Sequence, residues 1–212
     1  MKYLKKKYSG FTLIELIVSI TIFSIIMISV MMIFSAASKV SAKIDLNRSM
    51  QENTKNIVES ISRDVLKYGI TGVSKQSGAS DCNLDTVDGK YKSGDKLCLG
   101  GASDGYEYFL ALETASGWIR VEDASVDSMC SSISSECVLV RLDKELGGIT
   151  RVSNSLVYFK DIKFYVSSEN INKVTFNFTM QPSFKKGVNS ELIGNSEIIF
   201  QTTFSERLIE TN

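Results

Sequence analysis

Residues 11–37, FTLIELIVSITIFSIIMISVMMIFSAA, form an apolar run that holds a single charged side chain, Glu15. A helix rising about 1.5 Å per residue needs roughly 20 apolar residues to cross a hydrocarbon core of about 30 Å. The run exceeds that length, so it predicts a helix able to span a bilayer. A carboxylate in such a segment costs about 2.5–3.5 kcal/mol at the bilayer centre, and an intramembrane acid is a functional residue until shown otherwise, with a partner to be named. No Lys, Arg or His inside the run can be that partner. Lys2, Lys5, Lys6 and Lys7 precede the run with no acid among them. By the positive-inside rule they hold the N-terminus in the cytoplasm and send the remainder outward.

Two plain readings exist for such a start. A secretory signal peptide has an apolar core of about 7–15 residues and a small-residue cleavage site; Ser35-Ala36-Ala37 offers such a site, but the core is too long. An uncleaved signal anchor is the other. A third reading follows from Gly10, which separates the basic leader from the run. The segment Gly10-Phe11-Thr12-Leu13-Ile14-Glu15-Leu16 resembles the processing motif of type IV prepilins and pseudopilins. The resemblance implies that a prepilin peptidase cuts between Gly10 and Phe11 on the cytoplasmic side and N-methylates Phe11, leaving the apolar helix in the mature chain. Cleavage would free a cationic amine on Phe11, so a positive partner for Glu15 comes into being only on processing. Within one chain, Glu15 in the first turn complements the positive end of the helix dipole. In a filament, the resemblance implies an assembly charge pair between Glu15 and the Phe11 amine of a neighbour, strengthened by the low dielectric around it.

The implied fold class is α+β: a long N-terminal helix packed against a C-terminal antiparallel β-sheet head. Its expected segments are a removed leader (1–10), a transmembrane part of the helix (11–37), an amphipathic part (38–68) and an extracytoplasmic head (69–212). Met50, Thr54, Ile57, Val58, Ile61, Val65 and Tyr68 recur at three- and four-residue steps, marking one semi-apolar helix face. Gly69 and Gly72 are expected stops. A continuous helix over 11–68 would be about 85 Å long. No proline interrupts it, whereas many type IV pilins carry a bending proline there.

Residues 74–105 are rich in Gly, Ser and Asp and read as turns and loops. Strands are expected at 106–112, 118–121, 138–142, 156–159, 162–166, 173–180 and 198–204, the later ones alternating polar with β-branched or aromatic residues as a half-buried antiparallel sheet does. Four cysteines, Cys82, Cys98, Cys130 and Cys137, fall in the head. An even count outside the membrane reads as two disulfides with three possible connectivities. Local pairing, Cys82 with Cys98 and Cys130 with Cys137, is expected because each bridge would tie off a Ser- and Gly-rich loop. The CxxC and Cys/His spacings of a zinc site are missing. Asp81-Cys82-Asn83-Leu84-Asp85, followed by Asp88 and Asp95, begins like a calcium loop, but Thr86 and Lys92 stand where an EF-hand needs Gly and Glu. A solvated acidic turn is the expected state, and no metal or other cofactor is expected.

The chain has 24 basic and 24 acidic residues and no histidine. Removal of the leader would take four lysines and no acids, leaving 20 against 24. A mildly acidic chain argues against a general nucleic-acid surface. Without histidine, imidazole acid–base chemistry is absent, and no nucleophile–base pair or phosphate loop is seen, so an enzyme is not expected. Two short stretches, ISRDVLKYG at 61–69 and QTTFSER at 201–207, are similar to J-type minor pseudopilins and W-type minor pilins. The resemblance implies a structural filament subunit whose partners are prepilin peptidase, other pilins or pseudopilins, the inner-membrane assembly platform and, before assembly, the lipid bilayer. The competing function is surface recognition by the head loops, as in an adhesin or a DNA-uptake pilin.

Mass spectrometry of the N-terminal peptide checks the processing reading. The expected first residue is N-methylated Phe11; a start near Ser38 would mark an ordinary secreted protein, and an intact Met1 a plain anchor.

Overall fold

A computed structural model describes residues 10–74, 82, 92–114, 117–121, 130, 136–167, 171–183 and 196–206. In chain order these hold one helix, α1 (Leu13–Tyr68), and ten strands: β1 (Ile70–Ser74), β2 (Lys92–Gly94), β3 (Lys96–Leu99), β4 (Tyr106–Thr114), β5 (Gly117–Arg120), β6 (Cys137–Asp143), β7 (Ile149–Arg151), β8 (Val157–Ser167), β9 (Lys173–Pro182) and β10 (Ile198–Ser205). The arrangement is α+β. The chain divides into two compact units, Met1–Asp45 and Leu46–Asn212, with α1 contributing to each.

Neither Gly nor Pro occurs between Leu13 and Tyr68, so nothing in the backbone chemistry interrupts α1. Gly69 ends it. Its φ of 73° is left-handed, and its N–H bonds the Val65 carbonyl at 3.0 Å, the single-bond form of the glycine C-cap. In the first unit every described residue is exposed. Three serine hydroxyls there bond back to the helix itself: Ser19 donates to the Glu15 carbonyl at 2.7 Å, Ser24 to Ile20 at 2.8 Å and Ser29 to Ile25 at 2.9 Å. Such back-bonding satisfies these hydroxyls without water, as an apolar helix long enough to cross a membrane would need.

In the second unit the helix buries Met50, Thr54, Ile57, Ile61 and Val65, with Val58 and Tyr68 half-buried against the same core. Burying an Ile side chain contributes about 1.5–3 kcal/mol. Two polar residues, Asn53 and Asp64, lie buried on this face as well. Asn53 accepts the Asn154 backbone N–H at 3.0 Å.

The strands form two antiparallel sheets rather than one. The first has the order β1-β3-β4-β6-β7, with β5 on β4, and the second β10-β9-β8-β2. On the inner face of the second, Phe159, Phe164, Phe176 and Phe178 are buried, and Phe200 and Phe204 of β10 close over them at ring distances of 5.2 Å and 5.5 Å. In β4 the alternation serves both faces: Tyr108 and Leu110 join the main core, while Phe109 and Ala111 form a second cluster with Val138 and Val140.

Several strand boundaries depart from expectation. The separate strands at 156–159 and 162–166 are one, β8, whose register shifts between Phe159 and Asp161. That bulge moves Lys160 to solvent and makes a continuous strand look interrupted. Within the region read as loop lie β2 and β3, and β1 runs up to its start, so Gly72 is no stop but part of β1. β3 escapes a period-two reading because all four of its residues are buried; Lys96 is neutralised by Glu107 at 3.5 Å.

The two sheets approach where β2 meets β1. A Cβ on Gly94 would fall on the Ser74 carbonyl, so only glycine allows this contact. Gly148, by contrast, faces open space. Gly94→Ala is therefore expected to lower stability by about 1–3 kcal/mol, as overpacking against backbone does, while Gly148→Ala is neutral or stabilising by about 0.4–1 kcal/mol. Denaturant unfolding of the two variants checks the contrast; equal stabilities would contradict it.

Candidate functional site

Thr12 precedes the first residue of α1, and its Oγ1 accepts the Glu15 backbone N–H at 3.4 Å. Glu15 thus occupies the third helical position, the acid in a Thr-x-x-Glu capping pattern. The motif reading leaves Thr12 without a role, although its spacing from Glu15 is the signal that assigns one. Phe11 is 74% exposed and Glu15 is exposed. Gly10 has open space around its Cα. The basic leader, residues 1–9, lies outside the described residues. The geometry therefore collects an accessible Gly10–Phe11 bond, a capped helix start and an exposed carboxylate within residues 10–15.

In the head, the structure pairs Cys82 with Cys98 and Cys130 with Cys137. Cys98 is in β3 and Cys137 opens β6, both fully buried. Among the described residues, the one cluster of potential metal-ligating atoms is Cys82, Cys98 and Glu107. Its two sulfurs are engaged in the disulfide, and a disulfide sulfur is not the thiolate a metal needs. Asp81, Asn83, Asp85 and Asp88 of the acidic turn lie outside the described residues, as does Arg207.

The two short family-like stretches, 61–69 and 201–207, come together where α1 stops. Glu206 accepts the Ile70 backbone N–H through Oε1 and the Asn172 amide through Oε2 at 2.9 Å. One turn back, buried Asp64 accepts the Tyr108 hydroxyl and the Arg141 guanidinium, the latter at 3.1 Å. Arg141 lies over the Tyr106 ring at 4.4 Å, and Tyr106 meets Tyr68 edge-on at 5.0 Å. Burial, and then the bond to Asp64, push the Tyr108 hydroxyl well above its ordinary pKa, so it stays a donor. Burial opposes the Arg141 charge, but Tyr108 and Asp64 offset it and leave the pKa above normal.

Residues 5–36 match the family model of the prokaryotic N-terminal methylation motif. The chain carries a type IV prepilin processing signal. That match takes in the last lysines of the leader, Gly10, Phe11, Thr12 and Glu15, and most of the apolar run. The motif supports a precursor of the type IV pilin or pseudopilin kind, implies processing by prepilin peptidase and assembly with other pilins, and marks a structural class rather than an enzyme class. Neither the curated proteins nor the solved structures yield a match to the chain.

Digestion without reductant, followed by mass spectrometry, is expected to recover Cys82 linked to Cys98 and Cys130 linked to Cys137. Four alkylatable thiols in protein from its native compartment would contradict this. Removing the first bridge, whose cysteines are 16 apart in sequence, should lower stability by about 3 kcal/mol on chain-entropy reasoning.

Proposed function

We propose that the chain is a minor pilin or pseudopilin, a structural subunit that enters a type IV pilus or a related secretion or competence filament. Prepilin peptidase cuts after Gly10 and methylates Phe11. The apolar part of α1 waits in the cytoplasmic membrane with its N-terminus inside, and the disulfide-bonded head stands outside. The assembly platform then moves the subunit from lipid into the filament, where Glu15 pairs with the Phe11 amine of a neighbour. The observation that carries this reading is the helix start itself: a lone carboxylate on an exposed apolar helix, in the matched motif, one turn from the bond whose cleavage creates a cation. The two disulfides fit a head in an oxidising compartment.

Magnitudes separate this role from the local one. A carboxylate that only complements its own helix dipole is worth about 0.3–1 kcal/mol. Removing one partner of a buried ion pair costs about 3–5 kcal/mol, because the other charge is left uncompensated. Glu15→Ala should therefore be cleaved normally, remain in the membrane fraction and be lost from sheared filaments. Wild-type levels of the variant in filaments, with cleavage and membrane insertion intact, would exclude the intersubunit pair.

A further inference from the structure

In the second unit α1 is held mainly by a row of aliphatic side chains, Ile57, Ile61 and Val65, all fully buried. Apolar contact is non-directional, and cores built from interchangeable aliphatic groups lose uniqueness before they lose stability. Such a row resists withdrawal of the helix and large rolls, but discriminates poorly among small rotations about the helix axis. Axial position has a separate control: Gly69 stops the helix, and its carbonyl accepts the Gly100 N–H at 3.2 Å.

Rotation has one directional contact on this stretch that is both buried and charged. Asp64 is 5% exposed and takes donors from two strands of the first sheet, Tyr108 of β4 and Arg141 of β6. Consecutive helix residues are about 100° apart around the axis. Even a roll through a fraction of that angle carries the carboxylate off both donors and leaves a buried charge unsatisfied, which is far more costly than a small aliphatic mismatch.

We propose that Asp64, Tyr108 and Arg141 act as an angular lock, setting the rotation of the helix within the head rather than supplying the bulk of its stability. A filament subunit needs this, since neighbours gripping the helix must meet the same face of the head each time. That consequence rests on the filament reading; the lock itself does not.

The test places spin labels on the full chain in detergent at Lys55→Cys of α1 and Lys163→Cys of β8, both exposed, with the native cysteines in their disulfides. Pulsed dipolar spectroscopy reads the distance distribution between them. The wild-type background should give one narrow peak. In the apolar triple background Asp64→Leu, Tyr108→Phe, Arg141→Met, the melting temperature should be retained or raised while the peak broadens or splits. A folded triple variant with one narrow peak at the wild-type distance overturns the proposal. So does an unfolded triple variant together with a Tyr108→Phe variant that melts lower yet keeps the narrow peak, because the cluster would then serve stability alone. Neither outcome depends on filament assembly.

Discussion

A carboxylate on a helix long and apolar enough to cross a membrane sets the terms for everything around it. Glu15 stands in the first turn of a segment whose every described side chain is exposed, so among the described residues its support is its own helix terminus, capped by Thr12. That is enough to form the helix start but small against the cost of a charge in hydrocarbon. In the proposed filament the deficit is removed by chemistry on the neighbouring chain. The amine that pairs with Glu15 does not exist until the Gly10–Phe11 bond is cut. Processing would thus create the cation on which the proposed pair depends.

The head uses the same division of labour between non-directional and directional forces. Aliphatic and aromatic burial, seen in Ile57, Ile61, Phe176 and Phe178, supplies most of the adhesion. A few charged or polar points decide geometry: Asn53 against Asn154, Asp64 against Tyr108 and Arg141, Glu206 against Ile70 and Asn172. Two of these points fall in the short stretches that resemble minor pilins. Both lie at the end of α1 and help join the helix to the sheets.

What could be read in the chain before its structure follows from how local each cause is. The membrane-length run, Gly10, Glu15 and the Gly69 stop are local signals, and the helix face from Met50 to Tyr68 is a periodicity within one element. β8, β9 and β10 alternate because one face of their sheet is buried and the other is not. β3 carries no such pattern, since Lys96, Leu97, Cys98 and Leu99 are all buried, and β2 is too short to have one. The two sheets approach closely where Gly94 meets Ser74, a contact no periodicity encodes. Asp64 looks like a solvated helix residue in sequence; its burial depends on partners 44 and 77 residues further along.

The central claim, that the carboxylate of one subunit is neutralised by the processed N-terminus of another, is tested most directly in assembled filaments. Solid-state NMR on filaments grown from an equal mixture of nitrogen-labelled and carbon-labelled protein detects only contacts between different chains. The account predicts a through-space correlation between the methylated Phe11 amine nitrogen and the Glu15 side-chain carboxyl carbon, at a separation of about 4 Å as in an ion pair. No such correlation in mixed filaments, with one present when both labels lie in the same chain, would contradict it and return Glu15 to a role within its own helix.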